Sequence, residues 1–264
     1  MTMILNLTRE FFHSPQVAKD QIDIKFSACC RGYGRLEAEK THGVGDYKET
    51  YDLGPEKILH PARLQKPYLG LLGPNQWPDT EKLNQLQFKE NIISYISQMM
   101  QLGTIIMQAM TAALDYPAHQ FENHFKPDQE DAHAMLRLLH YPATKNNQLG
   151  VGAHVDSGFI SFLLQDDIGG LQIFNQNKQW INVPPLANHF VVNIGEMLKS
   201  WSNGCYKATL HRVANQSTRA RYSVPFFFEP NLSAVITIPH QNNNQIIYGE
   251  YLLKIFERSF PAGI

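Results

Sequence analysis

The sequence predicts a mainly β fold with helices packed against it, and three observations support this prediction. Beyond about residue 130, short apolar segments recur at spacings of roughly 8–12 residues between Gly, Pro, Asn and Asp, which is typical of a sandwich or barrel. A long amphipathic segment precedes them. No G-x-G-x-x-G motif follows a predicted strand, and strands do not alternate with helices, so a dinucleotide-binding fold is excluded.

Helices are predicted at the start, before the strands and at the end. The first stretch, to about residue 30, is expected to be helical around LTREFFHSP. From Thr80 to about Leu114, apolar residues recur at steps of three and four, which predicts one long helix, or two, capped by Asp79 or Thr80 and packed on a sheet. A last helix is predicted over GEYLLKIFERSF, 249–260. The apolar positions of the long helix are Leu83, Leu86, Ile93, Ile96, Met100, Ile106, Met110 and Leu114.

The remaining segments carry strand or loop patterns. Residues 31–54 are rich in Gly and aromatic residues, so irregular strand and loop are expected, and residues 60–80 are broken by Pro and Gly, so a surface connection is expected. Strands are predicted within AMLRLLHY (134–141), GFISFLLQ (158–165), LQIFNQ (171–176), QWINVPP (179–185), HFVVNIG (189–195), KATLHRVAN (207–215) and RYSVPFFFEP (221–230).

Composition limits the partners and the compartment. The 264 residues have a formal net charge of −1 and no run of Lys and Arg, so we expect a small-molecule substrate and neither nucleic acid nor anionic lipid as a partner. No apolar stretch reaches the roughly 18–20 residues of a membrane span, and the first residues lack the pattern of a secretory signal. Three cysteines form no disulfide framework, so a cytoplasmic protein is expected, and its oligomeric state is left open.

The segment GAHVDSGF, 152–159, contains a candidate metal-binding pair. Residues i and i+2 of a strand share one face, so His154 and Asp156 are expected to project together. His211, in a second predicted strand, is the best candidate for a third ligand. Two His and one carboxylate, with open positions beside them, suit a non-haem Fe(II) oxygenase. By itself an H-x-D pair is also the pattern of a surface His beside a solvated Asp, and the chain has 11 His from which to choose.

A second pair raises the specificity of the pattern. Arg221 and Ser223 are again at i and i+2, and the apolar VPFFF that follows indicates burial. A guanidinium beside a hydroxyl is a receptor for a carboxylate, because Arg donates two parallel charge-assisted hydrogen bonds. An ordinary surface Arg on a strand is the alternative, and the apolar neighbours argue against it.

These residues, together with GGLQIF, QWINVPP, FVVNIGEMLKSWSNGCYKATLHRVAN and RYSVPFFFEPN, resemble the isopenicillin N synthase-like group of Fe(II)/2-oxoglutarate-dependent dioxygenases. The resemblance implies a double-stranded β-helix, or jelly-roll, core flanked by the long helix and other N-terminal helices. It implies that His154, Asp156 and His211 bind Fe(II), and that Arg221 and Ser223 bind the C5-carboxylate of 2-oxoglutarate, with Tyr141 hydrogen-bonding the same carboxylate. The Asn that many plant members carry two places before this Tyr is Leu139 here.

The implied activity is oxidation of an unactivated C–H bond of a small metabolite, with hydroxylation the commonest outcome, and with O2 and 2-oxoglutarate consumed and succinate and CO2 released. Desaturation and ring closure use the same triad. A 2-oxoglutarate-independent oxidase is an alternative, because isopenicillin N synthase uses its Arg-x-Ser pair to hold the substrate carboxylate. A non-catalytic relative that binds a small acid is another.

The resemblance also divides the chain. Residues 1–130 are expected to form an N-terminal helical and loop region, shorter than in the family, and residues 131–264 the jelly-roll core with its C-terminal helix. Family members usually begin with a further strand and helix, which this sequence lacks before FFHSP. We therefore expect folding and iron binding to be retained and substrate coverage or oligomeric state to differ; a truncated or alternatively started sequence explains the difference equally well.

Overall fold

Two β-sheets of six and four strands form the centre of the computed structural model, which describes residues 1–79, 85–143, 149–215, 217–239 and 244–259, without the side chains of residues 85, 86 and 259. The strands are β1 (Gly32–Gly34), β2 (Lys40–Thr41), β3 (Val44–Gly45), β4 (Glu49–Leu53), β5 (Ala134–Tyr141), β6 (Leu149–His154), β7 (Ile160–Gln165), β8 (Leu171–Phe174), β9 (Trp180–Asn182), β10 (Val191–Ile194), β11 (His211–Ala214), β12 (Arg221–Phe228), β13 (Val235–Ile238) and β14 (Asn244–Ile247).

The larger sheet has the order β1-β4-β5-β12-β7-β10. Strand β12 lies inside it, antiparallel to β5 on one side and to β7 on the other. Its sequence RYSVPFFF is buried at every position but one, as expected for a strand covered on both faces. The apolar half of β12 fills the core, and its polar half carries Arg221 and Ser223.

The smaller sheet has the order β6-β11-β8-β9. It lies opposite the larger sheet, since one internal cavity is lined by Tyr141 and Arg221 from the larger sheet and by Val151 and Val213 from the smaller one. Facing antiparallel sheets of this order form the predicted jelly-roll core, and the predicted strands after residue 130 are confirmed. Strand β6 corresponds to the strand assumed for the His154–Asp156 pair, whereas β13 and β14 were not predicted.

Helices pack against the larger sheet. The long helix is confirmed, although its predicted start and cap fall partly on residues 80–84, outside the described residues. It packs on β12, where Gly103 lies against the ring of Phe228 and leaves no room for a side chain. The helices are α1 (Thr2–Phe12), α2 (Gln16–Asp20), α3 (Gln85–Ala112), α4 (Ala118–Glu122), α5 (Glu196–Trp201) and α6 (Tyr248–Ser259), with 3₁₀ turns at Ile24–Phe26, Pro61–Leu64 and Pro67–Leu71.

Two predictions about burial require correction. The buried side of α3 is rotated by about one residue from the predicted stripe: Ile93 and Met100 are only partly buried, and of the predicted positions whose side chains the structure describes only Ile96 is fully buried. The connection at residues 60–80 is not purely a surface segment, because its short turns bury four apolar side chains in the main core. The residues that line the buried side of α3 are Phe88, Ile92, Tyr95, Ile96, Met99 and Met107, and those buried in the connection are Tyr68, Leu69, Leu71 and Leu72.

The N-terminal region contributes to the core sheet as well as covering it. Strand β4 pairs with β5 along five residues, and β1 pairs with β4, so residues on both sides of position 130 share one sheet. Helix α1 packs on β12 and β5. The domain boundary at 130/131 stays a prediction. Within the described ranges, no helix has both the length and the apolar character that a membrane crossing requires.

Candidate metal centre

His154, Asp156 and His211 come together where β6 and β11 pair. His154 is the last residue of β6 and His211 the first of β11, and they are directly opposite in the antiparallel register. The Oδ1 atom of Asp156 lies 3.8 Å from Nε2 of His154 and 3.6 Å from Nε2 of His211. Asp156 is not in the strand, as the i, i+2 reasoning assumed, but in the loop two residues beyond its end.

Backbone carbonyl groups fix the orientation of both imidazole rings. The Nδ1 atom of His154 is 2.8 Å from the carbonyl oxygen of Gly152, and that of His211 is 3.0 Å from the carbonyl oxygen of Thr209. A proton on each Nδ1 can therefore be donated to a carbonyl, which leaves the lone pair of each Nε2 for a metal. Because metal–ligand bonds to N and O are about 2.0–2.2 Å long, one ion can lie between atoms separated by these distances.

The carboxylate of Asp156 is held from its other oxygen. Ser161 Oγ donates to Oδ2 at 2.7 Å, so Oδ1 is the oxygen that faces the two imidazoles. Helix α5 holds the loop that carries Asp156 in place, because the Glu196 N–H donates to the carbonyl of Asp156 at 2.8 Å. Gly195 permits this approach, since a Cβ there would clash with the carbonyl oxygen of Gly158.

The three candidate ligand atoms lie within 4.8 Å of one another. In the described part of the chain, this is the one group of three or more His, Cys, Asp or Glu side chains that could hold a metal ion. Burial, and then the neighbouring His211, lower the pKa of His154. Both effects favour the neutral imidazole, which is the form that binds a metal. Two imidazoles and one carboxylate are the donor set of an open non-haem Fe(II) site.

Arg221 and Ser223 are together and fully buried, as their spacing predicted. The Arg221 guanidinium donates to Ser223 Oγ at 3.0 Å, to Gln165 Oε1 at 3.1 Å and to the carbonyl of Gly169. Its carbon lies 4.8 Å from the centre of the Tyr141 ring. None of these partners is a carboxylate, so the buried cation can still take an anionic ligand.

Two neighbouring cavities meet at two of the candidate metal ligands, His154 and Asp156. The inner one, about 90 Å³, is lined by Tyr141, Arg221 and Ser223. The outer one, about 520 Å³, is lined by Phe227 and Glu229 at the end of β12 and by Leu252 of α6. His154 and Asp156 line both cavities, whereas the three residues predicted to hold a carboxylate line only the inner one.

A buried ion cluster forms part of the wall between the cavities. Lys48 Nζ lies 2.8 Å from Glu39 Oε2 and 2.9 Å from Asp46 Oδ2, while Arg137 contacts both Glu39, at 2.8 Å, and Asp52, at 2.7 Å. Burial alone would raise the pKa of Glu39, but Arg137 and Lys48 lower it to about 2. Glu39 therefore stays ionised at neutral pH.

The sequence reasoning missed several residues of the site. Ser161 and Gln165 lie on β7, which was predicted, but nothing in their spacing marks them as partners of Asp156 and Arg221. Lys48 and Arg137 were also missed, because they lie in distant segments of the chain and meet only through Glu39. Glu229, in the wall of the outer cavity, directly follows the predicted VPFFF strand.

Comparison with protein families gives two matches. Residues 132–230 match the model of the 2OG-Fe(II) oxygenase superfamily, and residues 1–80 match the model described as non-haem dioxygenase in morphine synthesis N-terminal. The first match contains all three metal-binding candidates together with Tyr141, Arg221 and Ser223.

Curated relatives and solved structures agree with this assignment. A homoarginine-6-hydroxylase of Arabidopsis thaliana is 35% identical over 240 residues, covering 88% of this chain and 70% of the relative. The 2-oxoglutarate-dependent dioxygenase citB of Monascus ruber is 38% identical over 212 residues, covering 76% of this chain but only 63% of the relative. A full-length Neurospora crassa protein, whose crystal structure was solved in complex with alpha-KG and thymine, is 28% identical; the match covers 97% of this chain and 82% of that chain, with a TM-score of 0.81. The chain therefore belongs to the 2OG-Fe(II) oxygenase superfamily.

Proposed function

We propose that the protein is an Fe(II)- and 2-oxoglutarate-dependent oxygenase that hydroxylates an unactivated C–H bond of a small molecule. One observation carries the proposal: the His-Asp-His group lies between two cavities, and the inner cavity contains Arg221, which is buried beside Ser223 and pairs with no carboxylate among the described residues. The arrangement provides one place for a metal, one for an anionic co-substrate and one for a substrate.

In this proposal the metal is held by Nε2 of His154, Nε2 of His211 and Oδ1 of Asp156. The backbone carbonyls of Gly152 and Thr209 keep the proton of each ring on Nδ1, and Ser161 keeps Oδ2 away from the metal. When bound, iron(II) would supply the redox chemistry that couples conversion of 2-oxoglutarate and O2 into succinate and CO2 to insertion of an oxygen atom into the substrate C–H bond.

Arg221 and Ser223 then bind the distal carboxylate of 2-oxoglutarate, with Tyr141 closing the same cavity. Burial strengthens this pairing, because solvent screens the charge of a fully buried guanidinium less than that of an exposed one. The separate outer cavity favours a 2-oxoglutarate-dependent enzyme over an oxidase in which the Arg-Ser pair holds the substrate, since substrate and co-substrate then occupy different cavities.

The outer cavity is suited to a small substrate. Apolar side chains of Val151, Phe227 and Leu252 share its wall with charged groups. These apolar groups exclude water from the space beside the metal. Among related proteins, some are named for homoarginine hydroxylation and one was crystallised with thymine, so a small polar metabolite is the substrate class that we propose.

We also propose that the protein works in the cytoplasm. All three cysteines are free thiols, with Cys29 and Cys30 buried and Cys205 exposed, which suits a reducing compartment.

The test is anaerobic addition of Fe(II) and 2-oxoglutarate, followed by a panel of small polar substrates and O2. We expect a visible metal-to-ligand charge-transfer band, and then succinate and CO2 in equal amounts once O2 is admitted. Asp156→Ala should abolish both the band and succinate formation. Asp167→Ala removes an exposed carboxylate that contacts only Arg219 among the described residues and serves as the matched control, for which both signals should be unchanged.

Two results would contradict the proposal. Absence of the band in the unmodified protein would favour a non-catalytic relative that binds a small acid. O2 consumption that requires Fe(II) and a substrate but not 2-oxoglutarate would favour an oxidase of the isopenicillin N synthase type.

A further inference from the structure

Glu229 is a buried carboxylate with one oxygen available to a ligand of the outer cavity. The side chain follows β12, is 7% exposed and lines that cavity. Both described hydrogen bonds to it end on Oε2: Tyr248 Oη donates at 2.5 Å and the Phe159 N–H at 2.9 Å. Its Oε1 lies against Gly158, where any Cβ would clash with it, so a glycine is needed to leave space for this oxygen.

The protein provides no cation for this carboxylate among the residues that the structure describes. No ion pair there involves Glu229, whereas Glu39 and Asp46, which line the same cavity, each pair with a cation. Burial, and then the charge of Asp156, raise the pKa of Glu229 to about 8, which two hydrogen bonds only partly offset. A buried carboxyl group without a counter-ion is costly to ionise, and a ligand that carries the missing charge removes that cost.

The neighbouring ion cluster has no free cation to offer Glu229. Its two cations, Lys48 and Arg137, are shared among Glu39, Asp46 and Asp52. Each of these carboxyl groups already accepts hydrogen bonds from other described groups.

The remaining basic groups of the wall do not neutralise Glu229. His133 lines the same cavity, but burial and the nearby Arg31 and Lys57 lower its pKa to about 3, so its ring is neutral. Its Nδ1 is buried and has no hydrogen-bond partner among the described residues. Lys40 and His42 also line this cavity but are exposed, so water and salt screen their interaction with Glu229.

We propose that Glu229 is the binding site for a positively charged substrate group, an alkylammonium or guanidinium, in the outer cavity. The inference rests on the proposed function and specifies its substrate class: a cationic amino or guanidino compound, as opposed to a neutral heterocycle. The cation pairs with Oε1, while Tyr248 and the Phe159 N–H hold Oε2 in place.

Glu229 lies in the same cavity wall as two of the candidate metal ligands. Its Oε1 contacts Gly158, whose Cα atom is at most ~7 Å from that of Asp156, because the two residues are two positions apart. His154, Asp156, Gly158 and Glu229 all line the outer cavity, so a cation bound at Oε1 shares this cavity with the candidate metal site.

The test compares a charged ligand with its uncharged isostere. L-Homoarginine and L-homocitrulline have nearly the same shape and differ in a guanidinium against a urea; arginine with citrulline gives a second pair, and thymine represents neutral heterocycles. Binding is measured by calorimetry on the metal-free protein, and by perturbation of the charge-transfer band in the anaerobic Fe(II)–2-oxoglutarate complex. At least one guanidine should bind roughly 30-fold or more tightly than its isostere, the effect expected for a desolvated charge pair.

Glu229→Gln keeps an oxygen for Tyr248 and Phe159 and removes the charge. It should abolish the preference for the guanidine while the charge-transfer band with 2-oxoglutarate remains. Asp167→Asn, in an exposed pair with Arg219, is the matched control and should keep the preference. Equal affinity for both members of each pair, binding of thymine alone, or an unchanged preference in Glu229→Gln would overturn the inference. Loss of the band with a retained preference would overturn the proposed function only, since calorimetry needs no metal.

Discussion

His154 and His211 face each other across two paired strands, with their ring centroids 4.3 Å apart and their ring planes tilted by 55°. Each ring is fixed through Nδ1 by a carbonyl two residues earlier in its own strand or in the segment before it. The strand register thus sets the relative position of the two rings. Replacing either His should remove one candidate ligand and leave the pairing of β6 with β11 intact.

We expect His211→Ala to lose Fe(II) affinity by more than ~100-fold, because outer-sphere partners of a metal already contribute 10–100-fold and a direct ligand contributes more. Iron content after anaerobic gel filtration measures this. His189→Ala is the control, since His189 is exposed and contacts only the carbonyl of Ala187 among the described residues. Equal iron content in the His211 and His189 variants would contradict the assignment of His211 as a ligand.

Ser161 is expected to tune the site through Asp156. Ser161→Ala removes the donor to Oδ2, so the carboxylate can rotate or bind through both oxygens, and Fe(II) affinity should fall roughly 10–100-fold. The charge-transfer band should also shift in energy, which a purely structural role would not cause. Ser97→Ala, on the exposed side of α3, should leave both the affinity and the band unchanged. An unshifted band in Ser161→Ala would exclude this role.

Arg221→Lys should weaken 2-oxoglutarate binding and leave metal binding intact. A lysine keeps one positive charge but loses the planar pair of donors, so the half-saturating concentration of 2-oxoglutarate should rise roughly 10- to 150-fold, the equivalent of one or two charged hydrogen bonds. Arg219→Lys, two residues earlier in an exposed pair with Asp167, is the matched control. If both variants titrate like the unmodified protein, Arg221 does not bind the co-substrate.

Stability should decrease in acid partly through Glu49. Burial alone would raise its pKa, but hydrogen bonds from His140, Tyr33 and Lys19 lower it to about 2, below the ordinary value of 4.5. Because the pKa of the folded state is the lower one, Glu49 stabilises the fold fully above pH 4.5, and this contribution is lost as the pH falls from 4.5 towards 2.

Glu49→Gln should therefore flatten the dependence of the free energy of unfolding on pH within that window, while lowering stability at neutral pH. Denaturant unfolding at a series of pH values measures both effects. Glu196→Gln, with its exposed carboxylate, should retain the slope of the unmodified protein. Parallel curves for Glu49→Gln and the unmodified protein would show that this network does not control acid stability.

Gly103 tests the packing of α3 on β12. Replacing a helical glycine by alanine favours the helix by about 1 kcal/mol, but the new Cβ would clash with the ring of Phe228. Overpacking of this kind costs about 1–3 kcal/mol, so Gly103→Ala should lower the free energy of unfolding on balance. Gly70→Ala, which would meet no atom within 4 Å, is the control. A stabilised Gly103→Ala would mean that α3 can move away from the sheet.

The sequence alone determined the local parts of this protein. Alternation and turn residues located the strands after residue 130, because the pattern that predicts a strand lies within a few consecutive residues. The same is true of Arg221 with Ser223, since this pair needs only a spacing of two on one strand to share a face. His154 and Asp156 were paired by the same spacing, although Asp156 lies in the loop beyond β6. His211, one of 11 His, was assigned as a ligand through the family resemblance.

Only the tertiary structure decided which groups meet across the fold. The register of β6 with β11 sets the distance between the two imidazoles, and Lys48, Arg137 and Glu39 assemble from distant segments. The same holds for Glu229, whose character depends on the absence of a described cation nearby and on the glycine that makes room for its oxygen. The burial and the charge pairing of a side chain depend on all residues that surround it in the fold. The sequence pattern does not show which distant residues these are.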